Sequence, residues 1–116
     1  MKAEEVITNL HTKDVEKARD FFGVLGLSQT TLDLGWVTRF SSPETGASVQ
    51  VVTADASAPA DSQLTIKVDD VDGAYAVMQE RGYEIVHPLT DEPWGIRRFF
   101  VRSPDGQVVN VAHHRV

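Results

Sequence analysis

The sequence predicts an α+β fold in which two βαβββ modules form curved mixed sheets around a cleft. The first observation is an internal repeat: Asp14 and Asp70 open similar segments 56 positions apart, and Gly46 and Gly106 close them 60 positions apart. The second is apolar spacing typical of one helix in each half, and the third is a proline–glycine turn late in each half. Repetition of this kind indicates a duplicated structural unit.

Each predicted helix begins at an aspartate and ends at a glycine. Asp14 and Asp70 suit the N-cap position, and Gly26 and Gly82 suit the C-terminal stop. Between these signals, apolar residues recur at the spacing of one helical face: Val15, Ala18, Phe22 and Leu25 in the first helix, and Val71, Ala74, Tyr75 and Met78 in the second.

One strand is predicted before each helix and three after it. The strands of the first half are 4–10, 30–34, 36–41 and 47–53, and those of the second half are 62–68, 84–87, 96–102 and 107–113. An insert at 87–95 interrupts the second repeat. The chain is therefore one domain with repeat one at about 1–53, a linker rich in Ala, Ser, Pro and Asp at 54–61, and repeat two at about 62–116.

Strand parity separates an apolar face from a mixed and often polar one. The apolar sets, expected beneath the helices, are Leu64 with Ile66 and Val68, Val49 with Val51, and Val109 with Val111. The opposite parity carries polar side chains on four strands, namely Asn9, Gln50, Gln63 and Asn110. We expect this polar face to be concave and to form the binding surface.

Composition excludes several classes of function. Seventeen acidic against eleven basic side chains give a net charge of −6, which argues against nucleic acid as a partner. The absence of cysteine excludes disulfides, thiolate zinc sites and thiol nucleophiles. No apolar run approaches the ~20 residues of a membrane span. The N-terminus also lacks the apolar segment of a signal peptide, so a cytoplasmic location without a membrane partner is expected.

Two segments carry a family resemblance. Residues 14–27 read Asp-Val-Glu-Lys-Ala-Arg-Asp-Phe-Phe and later Leu-Gly-Leu, and residues 92–106 contain Pro-Trp-Gly, Arg-Phe and Pro-Asp-Gly in succession. With the Val-Asp-Asp-Val-Asp of 68–72, they make the chain resemble the vicinal-oxygen-chelate superfamily, which includes glyoxalase I, extradiol dioxygenases and bleomycin-resistance proteins. The 92–106 segment is similar to the bleomycin-resistance branch in particular.

The resemblance implies four ligand positions for a divalent metal in the enzymes of this superfamily. They correspond to Ile7, Gln50, Gln63 and Asn110, where the enzymes mostly have His or Glu. An aliphatic side chain and three neutral amides are poor ligands for such a cation. We therefore expect neither a metal nor another cofactor.

No residue receives a catalytic role. His113 and His114 point to opposite faces of one strand, and His11 and His87 are interpreted as solvated histidines at strand ends. The serines lie at turns, and neither a nucleophile elbow nor a phosphate-binding loop is present. Acidic pairs such as 69–70 and 91–92 are interpreted as helix caps and loop surface.

Aromatic side chains are the stronger candidates for a site. Trp94 lies in the insert between Pro93 and Gly95, where a large ring has no evident core role, and it resembles the stacking tryptophan of bleomycin-resistance proteins. The other interpretation of Trp94 is packing at the end of the cleft or in a subunit contact. The predicted ligand-binding set comprises Trp94 and Trp36 as stacking groups, with Asn9, Gln50, Gln63, Asn110, Arg98 and Phe40 as further lining.

Together, these observations predict a metal-free cytoplasmic homodimer that sequesters an aromatic, antibiotic-like small molecule without transforming it. Its modules pair within one chain or are swapped between chains. One alternative is a metal-dependent enzyme of glyoxalase or dioxygenase type that uses His11 and His114. Another is an interaction subunit without a small ligand.

Overall fold

The computed structural model describes residues 1–53 and 62–114, and it confirms the α+β class and the order βαβββ in each half. The predicted linker at 54–61 lies outside the described residues. The elements are β1 (Ala3–His11), α1 (Val15–Val24), β2 (Gln29–Asp33), β3 (Val37–Ser41), β4 (Ser48–Val52), β5 (Leu64–Val68), α2 (Val71–Glu80), β6 (Ile85–Asp91), β7 (Ile96–Arg102) and β8 (Val108–His114).

Both helices begin at the predicted aspartates. The Asp14 carboxylate accepts a hydrogen bond from the Lys17 backbone N–H at 3.1 Å. The Asp70 carboxylate accepts the equivalent bond from Gly73 at 3.0 Å. Each cap satisfies one of the backbone donors that a helix leaves unpaired in its first turn. The two sequence repeats thus begin their helices with the same N-cap hydrogen bond.

Contacts divide the chain into two compact units, and the division passes through β1. The larger unit contains Met1–Ile7 with Ser57–Val116, and the smaller unit contains Thr8–Ala56. These units differ from the sequence repeats because the first half of β1 groups with the second repeat.

The smaller unit holds α1 and a sheet in which β2, β3 and β4 are antiparallel neighbours and the second half of β1 pairs with β4 in parallel. Phe22 of α1 stacks on Phe40 of β3 with ring centroids 6.3 Å apart. α1 buries no residue completely. The predicted apolar face of α1 is wrong at Leu25, which is the C-cap and is 67% exposed.

In the larger unit, the sheet runs from the first half of β1 through β5, β8 and β7 to β6. β5 and β8 are parallel, and the β8–β7 and β7–β6 pairs are antiparallel. The face predicted to lie beneath α2 does form the core. The buried residues of this core are Val71 and Ala74 of α2 and, on the strands, Val68, Phe99, Val101 and Val111.

β6 is longer than predicted. The sequence predicts a strand at 84–87, whereas β6 spans Ile85–Asp91 and contains register shifts between Ile85 and His87 and between His87 and Thr90. Most of the insert is therefore strand, because the irregular register absorbs extra residues while β6 stays paired with β7. No helix among the described residues has the length and apolar character needed to span a membrane.

Candidate ligand-binding site

The site begins with the tight turn that joins β6 to β7. The Glu92 backbone N–H donates to the Ile96 carbonyl at 2.7 Å, and the Gly95 N–H donates to the Glu92 carbonyl at 3.1 Å. Pro93 has the fixed φ that suits the second position of such a turn, and Gly95 takes a left-handed φ of 90°. This backbone geometry places Trp94 at the tip of the hairpin.

The turn between β7 and β8 has the same geometry. The Ser103 N–H donates to the Gln107 carbonyl at 2.8 Å, and the Gly106 N–H donates to the Ser103 carbonyl at 2.9 Å. Gly106 has a φ of 94°. Trp94 therefore takes the place that Asp105 takes in a turn of matching form. The turn itself requires no aromatic residue there.

Arg98 lies between two aromatic rings. Its guanidinium carbon is 5.1 Å from the Trp94 ring centroid and 4.9 Å from the Phe100 ring centroid. Arg98 is only 3% exposed. A cation over the face of an indole ring is attracted by the ring's quadrupole, more strongly where water is excluded. Arg98, predicted as polar lining, is thus enclosed and positions Trp94.

Glu92 and His87 complete this cluster. Glu92 is 4% exposed, and its Oε1 lies 3.6 Å from Arg98 Nε and 3.7 Å from His87 Nε2. The His87 ring meets Phe100 edge to face at 5.6 Å. The interpretations of His87 as solvated and of Glu92 as loop surface are therefore wrong. A buried guanidinium needs an anion nearby, and Glu92 meets this need.

Asn110 lies on the same sheet face as Phe100 and Thr65, its register partners on β7 and β5. Its amide nitrogen donates to the Thr65 hydroxyl at 3.2 Å. Thr65 is buried, and Asn110 is partly exposed. Gln63 is exposed just before β5 begins. This face lies opposite the α2 core because side chains alternate along a strand.

The corresponding face of the smaller unit carries Asn9, Gln50 and Arg39. The Gln50 amide nitrogen donates to Asn9 Oδ1 at 2.7 Å, and Arg39 Nη2 donates to Gln50 Oε1 at 3.1 Å. Asn9 and Gln50 are 5% and 8% exposed. The predicted pair is therefore brought together, with the Arg39 guanidinium as a third, unpredicted member.

Two predicted aromatic residues have different surroundings in the smaller unit. Phe40 is 1% exposed between Phe22 and the Arg19 guanidinium, which lies 5.5 Å from its ring centroid. Phe40 thus packs beneath α1, and its prediction as a lining residue is corrected because its strand parity is that of the helix side. Trp36 is partly buried just before β3, and its carbonyl accepts a bond from the Thr53 N–H at 2.9 Å.

Arg97 lies on the opposite side of β7 from Arg98. It binds the Asp72 carboxylate of α2 at 2.8 Å and the Asp91 carboxylate of β6 at 3.1 Å. Through its side-chain hydrogen bond, Arg97 holds the pKa of the Asp72 carboxyl below its ordinary value. Arg97 therefore ties α2 to the β6–β7 hairpin, and Arg98 alone faces the candidate site.

The family model of the glyoxalase/bleomycin resistance protein/dioxygenase superfamily matches residues 6–111 of the sequence. The chain belongs to this superfamily. No curated protein matches the chain significantly.

Solved structures resemble this superfamily member along nearly its whole length. An NAD-dependent benzaldehyde dehydrogenase structure from Legionella pneumophila is 16% identical with a TM-score of 0.75, covering 96% of this chain and 100% of that one. A superfamily member from Vibrio splendidus 12B01 is 18% identical with a TM-score of 0.71, covering 94% and 97%. Methylmalonyl-CoA epimerase from Mycobacterium tuberculosis is 14% identical with a TM-score of 0.70, covering 98% and 90%. At these identities the likeness concerns the fold alone.

The superfamily's metal positions do not fit a divalent cation in this chain. Ile7 offers no donor atom, and the Gln50 carbonyl already accepts a bond from the positively charged Arg39. Asn110 directs its amide nitrogen to a hydroxyl, and Gln63 is exposed. Neutral amides beside a guanidinium are an unfavourable setting for a second positive charge. Within residues 1–53 and 62–114, no group of three or more His, Asp or Glu side chains is arranged to hold a metal.

Proposed function

We propose that this protein binds a planar aromatic small molecule, such as an antibiotic or a related natural product, and sequesters it without chemical change. Trp94 carries the proposal. It is a partly exposed indole at the tip of a turn whose twin has Asp105 at the same position. Because the turn forms without an aromatic residue, turn geometry does not account for Trp94, and ligand binding does.

The surroundings of Trp94 support a binding role. The Glu92 carboxylate lies beside the Arg98 guanidinium, and the guanidinium lies over the face of the Trp94 ring. These contacts give the ring a defined position. A rigid aromatic side chain gives much contact area at a low entropic cost. Stacking of one planar group on an aromatic side chain is worth roughly 1–3 kcal/mol. A few such contacts suffice for micromolar binding.

Sequestration requires affinity but no catalytic group, since an immobilised toxin does not reach its target. The donor set at the superfamily's metal positions favours binding over metal-dependent catalysis. The alternative histidines, His11 and His114, are both exposed and lie on different strands. Asn110 and Gln63 remain proposed lining residues of the larger unit, and Asn9, Gln50 and Trp36 remain those of the smaller unit.

A cytoplasmic homodimer remains the proposed assembly. The superfamily resemblance supports it, and a chain of 116 residues has a modest core that a second subunit would supplement. Light scattering of the purified protein measures this directly. A monomeric mass across the working concentration range would contradict the dimer.

A thermal-shift screen against glycopeptide and DNA-intercalating antibiotics tests the proposed function. A true ligand raises the free energy of unfolding by ~2.7 kcal/mol at a hundredfold excess over Kd. Trp94→Ala is expected to abolish the shift and leave the free protein folded, with a modestly lower melting temperature because the contact with Arg98 is lost.

The matched control is Asp105→Ala, which makes the same kind of change in the turn of the same form. This variant is expected to bind as the wild type does. Full-strength binding by Trp94→Ala would show that the stacking assignment is wrong. Equal losses in both variants would show that the turns matter only for folding.

A further inference from the structure

Asn110 and His87 each contain a buried hydrogen-bonding atom that finds no hydrogen-bond partner among the described residues. These atoms are Asn110 Oδ1 and His87 Nε2. Glu92 Oε1 lies 3.7 Å from His87 Nε2, which exceeds hydrogen-bonding distance. Most buried polar atoms in folded proteins are paired, so an unpaired one calls for a physical explanation.

The two atoms belong to one row across the larger unit. Phe100 is the register partner of Asn110 on β8 and of His87 on β6. Directly paired residues project to the same face of a sheet. Asn110, Phe100 and His87 therefore form a strip on the face opposite α2. The strip crosses two strand spacings, or roughly 10 Å.

The existing hydrogen bond of Asn110 determines whether a ligand must bring a donor or an acceptor to it. Its amide nitrogen already donates to the Thr65 hydroxyl. The remaining atom is a carbonyl oxygen, which can only accept a hydrogen bond. A molecule that forms a hydrogen bond with this oxygen must therefore bring an N–H or O–H group.

The first repeat shows what a completed position looks like. Gln50 is the counterpart of Asn110, and both of its amide groups are paired, the nitrogen to Asn9 and the oxygen to Arg39. The two repeats thus carry amides at equivalent positions. Among the described residues, both polar atoms of the Gln50 amide are hydrogen-bonded, whereas the oxygen of the Asn110 amide is not.

We infer that Asn110 Oδ1 anchors the ligand by accepting a hydrogen bond from an N–H or O–H group on a planar, multi-ring molecule. This inference rests on the proposed function and narrows it to ligands with a donor such as a primary amide or a phenol. His87 Nε2 at the other end of the strip is a second polar contact. Phe100 between them provides the apolar floor.

Two phenazines test the inference because they differ in donor capacity and keep the ring system and the carbonyl. Phenazine-1-carboxamide has N–H donors, and its N,N-dimethyl amide has none. The wild type is expected to prefer the primary amide by about tenfold in Kd, the size typical of one hydrogen bond. Asn110→Leu and the smaller Asn110→Ala are expected to remove this preference. Unchanged discrimination in both variants would overturn the inference.

Stability without ligand gives a second readout that does not depend on the proposed function. Asn110→Leu removes the unmatched oxygen together with one hydrogen bond to Thr65, and it is expected to change the melting temperature little. Gln50→Leu breaks two bonds at the equivalent position and is expected to lower it. Equal losses would show that Asn110 is structural and would overturn the anchor. If no planar compound binds the wild type, the proposed function fails, and this comparison still decides the role of Asn110.

Discussion

Arg97 and Arg98 are neighbours in sequence, but their charges are used differently. Arg97 forms an open ion-pair set with Asp72 and Asp91, and its side chain is 31% exposed. Arg98 is enclosed by two rings and Glu92, and its side chain is 4% exposed. Alternation along β7 is sufficient to produce this difference. One residue joins secondary-structure elements, and the other positions a ring of the candidate site.

The Arg97 ion pairs predict a change in acid stability. Arg97 lowers the pKa of Asp72 in the folded state. The stability that this pair contributes is therefore present above the pKa of the unfolded chain and is lost as the pH falls through the lower, folded pKa. Arg97→Gln is expected to lower stability at neutral pH and to reduce the further loss on acidification to about pH 3.

Urea unfolding at the two pH values measures this effect, and Lys13→Gln controls for the loss of one positive charge at an exposed position. The control is expected to show the acid dependence of the wild type. If Arg97→Gln also kept the full wild-type dependence, Asp72 would owe its lowered pKa to something other than Arg97.

Residue environments were the least predictable part of the site. Trp94 could be singled out from sequence because its turn could be recognised from Pro93 and Gly95. The burial of Glu92 and His87 could not be predicted, because the register shifts in β6 obscure the alternation that reveals strand faces. Phe40 was misplaced for a simpler reason, since its parity matches that of the core-facing residues of β4.

At the scale of elements, backbone conformation predicts opposite effects of two glycine substitutions, one in a turn and one in a helix. Gly106 has a φ of 94°, and a Cβ added there would meet no atom within 4 Å. Gly106→Ala is therefore expected to cost about 1–2 kcal/mol from backbone conformation alone. Gly23 lies within α1, has equally open surroundings and has no positive φ. Gly23→Ala is expected to stabilise the protein by about 0.4–1 kcal/mol.

Chemical denaturation of the two variants provides the measurement. Both substitutions add one methyl group to open space, so packing contributes little to either result. A destabilised Gly23→Ala variant, or a neutral Gly106→Ala variant, would contradict this account of the two backbone conformations.

The elements themselves could largely be predicted because local chemistry specifies them. The caps Asp14 and Asp70 and the glycine turns mark the boundaries directly. The end of β6 could not be predicted, since its continuation depends on pairing with β7. The exposure of Leu25 likewise depends on where α1 rests on its sheet.

For the whole molecule, the main prediction concerns metal. In the smaller unit the Arg39 guanidinium against Gln50, and in the larger unit the aliphatic Ile7 and the bonded amide of Asn110, are expected to leave no affinity for zinc, nickel, iron or manganese at the superfamily's ligand positions. Elemental analysis of the purified protein should find well below one equivalent per chain. Treatment with a chelator should not change the melting temperature or the binding of an aromatic ligand.

A stoichiometric metal that resists dialysis would contradict the binding-only proposal and favour the enzymatic alternative. Arg39→Met provides a matched comparison because it removes the competing charge and leaves the amides in place. Metal uptake by that variant alone would identify the guanidinium as the reason for exclusion.

β1 has a strand neighbour in each unit: β5 in the larger unit, and β4 in the smaller unit, where the last residues of β1 form the pairs. Expressing residues 62–116 alone would strip β5 of this neighbour and expose a row of unpaired amides and carbonyls, the feature that drives strands of separate molecules to aggregate. An ancestral protein with a single repeat would have needed a second copy of itself to cover that edge.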